Sequence, residues 1–313
     1  MKQHKNRKRG KEPLKEKPGP NSGSGSQPKP ERLQKIMANA GLGSRRALEH
    51  QIKKGEVLIN KVTAKIGQSV NAGDRIGFEG KEWMVVDVAN PQRSLVYNKP
   101  TGEVTTRSDP QGRPTVFDRL PPIRGARWIA VGRLDINTSG LLLMTTDGEL
   151  ANAMMHPSNR VDREYACRIF GDVDAEKLNN LKEGVMLEDG MAQFSDIQAA
   201  GGDEVNRWYH VTILEGRNRE VRRLWASQDV VVSRLKRVRY GAVFLPKRMR
   251  MGDWAELSAA DHKILREDVG LGPLPVQLTL KPEKGHRESD RCQTRKKSGP
   301  GKKSTRYKNV NRK

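Results

Sequence analysis

The stretch WIAVGRLDINTSGLLLMTTDGEL, residues 128–150, constrains this chain more than any other. It holds two short apolar runs, residues 128–131 and 141–144, bounded by Gly132 and Gly140. Runs of this length with such boundaries are expected as buried strands. The polar loop between them carries one carboxylate, Asp135, two residues after the guanidinium of Arg133. Thr146 ahead of Asp147 and Glu149 has the form of a capping box, opening a helix through Leu150, Met154 and Met155. An acid on a loop gripped by two buried strands is held as catalysis requires. The same acid could simply cap the turn through Asn137 and Thr138. Spacing alone leaves both readings open.

At 313 residues the chain has room for two domains plus tails. Its formal net charge is +22, and the distribution of that charge is informative. Residues 1–30 carry +7 and residues 281–313 carry +10, which leaves only +5 for the middle. Two cationic tails on a mildly basic globular region suit a polyanion, because each phosphate neutralised releases counterions. No apolar run approaches the ~20 residues needed to span a bilayer, and the tails lack the apolar face of an interfacial helix. The basic N-terminus is followed by no apolar region and does not read as a secretory signal. Cys167 and Cys292 are too isolated for a disulfide scaffold or a metal knuckle, and the six His residues form no ligand pair. A reducing, cytoplasmic setting and no metal are expected.

Along the chain, residues 1–30 are rich in Lys, Gly, Pro and Ser and are expected to be disordered. Residues 31–90 read as a small domain. Leu33, Ile36, Met37 and Ala40 fall at helical spacing, with Gly41 as the stop. Ser44 caps a second helix bearing Arg45, Arg46, Leu48 and Ile52, stopped by Gly55. Residues 57–59 form a strand, followed by turns at Asn60-Lys61 and Gly73-Asp74. Residues 89–94 read as a linker and 93–268 as a second domain. Its strand-like runs are residues 95–97, 164–170, 207–214 and 230–240, with a Leu- and Arg-rich helix around 218–227. Asn98-Lys99-Pro100-Thr101-Gly102 reads as a loop, and residues 269–313 as a second disordered basic tail. His156 falls at the end of the helix that opens near Asp147, where it serves as a dipole partner.

The string RLQKIMANAGLGSRRALEHQIKKGEVLINKVTAKIGQSVNAGDRI resembles the S4 RNA-binding domain over nearly its whole length. GRLDINTSGLLLMTTDGELANAMMHP resembles the signature of the pseudouridine synthases that act on ribosomal RNA, in the branch that carries an N-terminal S4 domain. The resemblance runs on to about residue 257. It implies an α+β chain, in which a small S4 domain precedes a synthase domain with a mixed, largely antiparallel sheet around a central cleft. It also implies RNA-binding roles for Arg32, Lys35, Ser44, Arg45, Arg46 and Lys53. Of these, Arg45-Arg46 at a helix N-terminus is the pair best placed to meet phosphate.

The reaction of that family breaks the N1–C1′ bond of uridine, turns the held uracil, and joins C5 to C1′ with loss of the C5 proton. Nothing is oxidised, gained or lost, so no cofactor is required. A carboxylate at the sugar, a platform for the base and a proton acceptor near C5 suffice. The resemblance assigns the carboxylate to Asp135, which either attacks the sugar carbon or removes the 2′ proton. It assigns the platform to Tyr165 in DREYACRIF. It also assigns to Arg222, in EGRNREVRRL, a pairing that keeps Asp135 ionised. Arg133 is expected either to fill the gap left by the flipped base or to meet phosphate. Glycoside hydrolysis generally takes two carboxylates, one to activate water, whereas the motif supplies one. The expected substrate is a stem-loop uridine of large-subunit (23S) rRNA or a pre-ribosomal particle, with nothing demanding more than a monomer. The alternatives are a synthase acting on another rRNA uridine, or an RNA-binding ribosome-assembly factor whose main role is not catalytic.

Overall fold

In the computed structural model, the structure describes residues 30–88, 92–123, 125–203, 206–274 and 277–283. The N-terminal tail, the centre of the linker, the last thirty residues and Cys292 lie outside the described residues.

The small domain follows the sequence closely. Helix α1 (Leu33–Asn39) buries Leu33, Ile36, Met37 and Ala38. Helix α2 (Arg45–Lys53) is capped by Ser44, whose side chain accepts from the Ala47 N–H, and it buries Leu48 and Ile52. Both pack on a sheet with strand order Gln277–Pro282, Lys81–Val88, Arg75–Phe78, Val57–Ile59, Val62–Thr63. The first of these strands corrects the expected tail. Gln277–Pro282 pairs antiparallel with Lys81–Val88 over six residues, and its Leu278 and Leu280 enter the small domain's core. Alternating apolar residues bury one face of an edge strand here, and that outweighs the basic composition around them. The chain thus crosses between the two domains twice.

The second domain is built on a nine-stranded sheet. Its main order is Asp196–Gly202, Asn206–Ile213, Arg163–Phe170, Val231–Tyr240, Ser139–Thr145, Ser94–Lys99, Trp254–Glu256. Val243–Phe244 and Ile129–Ala130 pair off this path. Val231–Tyr240 and Ser139–Thr145 run parallel, while the other pairings are antiparallel. The parallel seam needs Gly140. Its φ is +101°, and a Cβ there would stand 2.2 Å from the Arg237 carbonyl oxygen. Ser139–Thr145 is buried along its whole length, as its apolar run predicts. The preceding strand is shorter than expected, only Ile129–Ala130, and half-buried. Ser94–Lys99 extends through Lys99, which the sequence placed in a loop.

Helix α3 (Gly148–Met155) is capped by Asp147 rather than Thr146; the Asp147 carboxylate accepts from the Glu149 and Leu150 N–H groups. His156 ends that helix, and its ring nitrogen accepts from Ser158 N–H in the short turn that follows. Helix α4 (Ala175–Glu183) packs its buried Leu181 on the core. Helix α5 (Glu220–Ala226) is anchored by the fully buried Trp225, whose ring lies 5.2 Å from Tyr209 and 5.7 Å from Phe194. Helix α6 (Ala259–Asp268) begins in a capping box formed by Ser258 and Asp261.

Helix α6 is locked to the N-terminus of α3 by a buried polar cluster. Arg266 donates to Asp147, His262 Nε2 lies 3.4 Å from the same carboxylate, and His262 Nδ1 meets Ser94 Oγ at 2.8 Å. Burial alone would raise the Asp147 carboxyl; His262, the Leu150 N–H and Arg266 overcome it and hold the group below its usual range. A carboxyl depressed in the folded state contributes stability in full above its unfolded value of about 4, and loses it as pH falls through the folded value. Arg266→Ala, which strands a buried carboxylate, is expected to cost roughly 3–5 kcal/mol in urea unfolding at pH 7. Its further loss on acidification to pH 3 should be smaller than that of wild type. A cost within about 1 kcal/mol, the scale of an exposed pair, would contradict this reading.

Candidate active site

The Asp135 loop leaves the sheet where three constraints meet. Gly140 allows the close parallel approach. Arg237, 2 % exposed, donates from Nε to the Leu141 carbonyl at 2.7 Å and so ties the same two strands just beyond it. Lys99, 0 % exposed, sits opposite Gly140 on the neighbouring strand. Its ammonium donates to the carbonyls of Asp135 (3.0 Å), Thr138 (2.9 Å) and Pro100 (3.0 Å). One cation therefore clamps both ends of the loop. Burial pushes the Lys99 ammonium down to about 8, with Glu103 and Asp135 opposing that shift. Tyr97 and Arg119 in turn hold Glu103, at 2.6 and 3.0 Å.

Asp135 opens into a cleft of about 730 Å³. Tyr165, 8 % exposed, lines the same cleft from strand Arg163–Phe170, and Arg133 stands exposed at its lip. Six arginines line it: Arg107, Arg133, Arg163, Arg217, Arg219 and Arg237. They face the carboxylates of Asp135, Glu215 and Glu220, so the cleft favours an anionic ligand. Glu215 is bound by Arg217 at 2.6 Å, and buried Glu220 accepts the Arg217 backbone N–H at 3.0 Å. Burial raises the Glu220 carboxyl. Asp135 differs from both in how loosely it is held: its half-exposed carboxylate makes an ion pair with Arg219 that spans 3.9 Å.

Among the described residues the direct ion pair of Asp135 is with Arg219 rather than with the expected Arg222, whose guanidinium still feels the Asp135 charge. Arg222 donates to the Val232 carbonyl at 2.7 Å and to the Asn137 carbonyl at 3.3 Å. It grips the backbone of the Asp135 loop from α5, while Arg219, at the helix N-cap, faces the carboxylate. The two side chains leave the backbone differently: Arg222 lies within α5, which Trp225 fixes, whereas Arg219 precedes the helix in a left-handed conformation with φ +49°. In the small domain, Arg45, Arg46 and Lys53 are exposed. The other three candidates there are already engaged. Ser44 caps α2, Lys35 pairs with Glu31 at 3.2 Å, and Arg32 donates to the Gly67 carbonyl.

Sequence reasoning missed Lys99 and Arg219. A lysine ending an apolar run looks like a solvated strand end, because its three carbonyl partners come from a distant loop and its own next residue. Arg219 carried a local signal, a crowded set of arginines at a helix start, but not which one would face the acid.

The comparisons agree with this geometry. Residues 93–227 match the family described as RNA pseudouridylate synthase, and residues 31–76 match the S4 domain. A Vibrio cholerae protein named ribosomal large subunit pseudouridine synthase B is 53 % identical over 274 residues, covering 85 % of this chain and 84 % of that protein. A Pseudomonas aeruginosa protein of the same name is 55 % identical over 262 residues, covering 82 % and 68 %. One from Xylella fastidiosa is 53 % identical over 265 residues, covering 83 % of this chain; the chain spans 56 % of its length. A solved structure described as a pseudouridylate synthase aligns with TM-score 0.52 and 27 % identity, covering 75 % of this chain and 99 % of that one.

The two arginines are expected to separate in stability measurements. Arg222→Ala leaves two carbonyls without their donor and should cost roughly 1–3 kcal/mol. Arg219→Ala removes a half-exposed pair and should stay within about 0.5 kcal/mol of wild type. Urea unfolding of both variants checks this, and equal costs would contradict the division of labour. The S4 domain, the synthase-type sheet and the long matches to its relatives together show that this chain belongs to the RNA pseudouridylate synthase family, in the branch that carries an N-terminal S4 domain.

Proposed function

We propose that this chain is a cofactor-independent isomerase that converts a uridine of large-subunit ribosomal RNA to pseudouridine, with Asp135 acting at the sugar. The observation that carries this reading is the state of the cleft's carboxylates. Glu215 and Glu220 are each held closely by Arg217, whereas Asp135 presents a half-exposed carboxylate on a clamped loop with an ion pair as long as 3.9 Å. A hydrolase would need a second available acid to activate water. Isomerisation needs one acid and a closed setting that keeps the detached base for recapture.

The chain's own groups divide the work. Asp135 meets the ribose of a nucleotide drawn out of its stack. The Tyr165 ring provides a face for the free uracil, and its hydroxyl accepts or relays the C5 proton. Arg222 and Lys99 hold the loop still. Arg133, at the lip, offsets part of the few kcal/mol that unstacking the nucleotide costs. Arg45, Arg46 and Lys53 of the S4 domain take phosphate. Arg32, Lys35 and Ser44, already engaged within the domain, contribute by shaping it. The names of the relatives support large-subunit rRNA as the substrate, and that substrate implies a cytoplasmic setting. Action as a monomer is part of this reading.

The test is tritium release from large-subunit rRNA labelled with 5-³H-uridine. Wild type should release tritium, and Asp135→Asn should release none above background while still binding RNA. The product RNA should keep its mass. Loss of uracil from the product would instead establish a glycosidase. Binding by wild type without release, from both naked rRNA and pre-ribosomal particles, would establish a binding factor.

A further inference from the structure

Three arginines from three separate segments gather where the S4 domain meets the cleft. Arg45 opens α2 in the S4 domain and is exposed. Arg127 lies half-buried just before Trp128, and its Nε is buried without a hydrogen-bond partner. Arg107 lines the cleft, with its guanidinium over the Phe117 ring at 4.5 Å and one N–H on the Trp128 carbonyl. Among the described residues none of the three has an ion pair. The segment carrying Arg127 is tied to the S4 sheet, since Thr279 of the C-terminal edge strand donates to the Gly125 carbonyl at 3.2 Å.

This grouping is costly in the free protein. Burial lowers the Arg127 guanidinium first, and the positive fields of Arg107 and Arg45 lower it further. Burial alone lowers Arg107. Arg239 and Arg266, by contrast, are matched by carboxylates, and the buried Arg163 and Arg237 give N–H groups to backbone carbonyls. The clustered positive charge at this junction favours an anionic ligand, and planar guanidiniums from several directions suit phosphate oxygens.

We propose that Arg45, Arg127 and Arg107 form one phosphate-binding subsite that spans the S4 domain and the lip of the cleft and takes the RNA backbone beside the target uridine. This rests on the reading of the substrate as RNA. The subsite makes the S4 domain part of substrate positioning, because one stretch of backbone touches both domains on its way to Asp135. Phosphate contacts set register without reading sequence, so the subsite fixes where the uridine lies rather than which one is chosen.

The test measures binding of the full chain to a large-subunit rRNA stem-loop across a series of KCl concentrations. Each lost phosphate contact should make the slope of log K against log salt shallower by about 0.7–0.9. Arg127→Gln is expected to lose about one such step, and the Arg45/Arg107/Arg127 triple Gln variant more than any single one. Arg127→Lys should restore most of the slope, and Lys182→Gln on distant α4 should leave it unchanged. Without RNA, Arg127→Gln should melt no lower than wild type, because it relieves like-charge repulsion. Unchanged slopes in Arg127→Gln and the triple variant would overturn the proposal. So would a slope lost in step with thermal stability and not rescued by lysine. Wild type that binds but releases no tritium defeats the catalytic reading and leaves this readout intact. Wild type that binds no RNA defeats both.

Discussion

The buried ammonium of Lys99 is the interaction on which the site depends. Taking a lysine out of water is unfavourable, and the charge is tolerated only where its donors are satisfied. Here the carbonyls of Pro100, Asp135 and Thr138 satisfy them. The loop that must present a carboxylate is thus also the loop that solvates the cation. Neither is stable in this geometry without the other, which turns the excursion from the sheet between Ala130 and Ser139 into a fixed platform.

The surrounding fold supports that clamp from both sides. Gly140 lets Ser139–Thr145 run parallel and close to Val231–Tyr240, and Arg237 bridges the seam from within. On the far side of the loop, Arg222 reaches the Asn137 carbonyl from a helix pinned by Trp225. These contacts go to backbone, not to the Asp135 carboxylate. The carboxylate is left half-exposed with one long ion pair to Arg219. A reacting acid needs a rigid support and a free head, and the division of roles between Arg222 and Arg219 supplies both.

Much of this was legible in the sequence because its signals are local. The apolar run of residues 141–144 reads directly as a buried strand, Ser44 as a helix cap, and Leu33, Ile36 and Met37 as one helix face. The loop bearing Asp135 was placed between the right two strands, which end at Ala130 and resume at Ser139 rather than at Gly132 and Gly140. What was not legible depends on contacts between distant segments. Lys99 meets residues more than thirty positions away, Arg219 faces Asp135 from a left-handed position ahead of α5 while Arg222 lies within the helix, and the cap of α3 falls to Asp147, which Arg266 and His262 also engage. The Gln277–Pro282 strand did carry an alternating signal in Leu278 and Leu280, hidden by the basic composition after it.

The measurement that tests the account most directly is the single-turnover rate of pseudouridine formation in Lys99→Met, taken together with its affinity for the same RNA. Methionine is near lysine in size and removes the buried charge, so the fold survives while the clamp is lost. The account predicts a rate lowered by at least about tenfold, a loss on the order of 1.4 kcal/mol of transition-state stabilisation, at nearly unchanged RNA affinity. A wild-type rate in that variant, or a loss confined to RNA affinity, would contradict it.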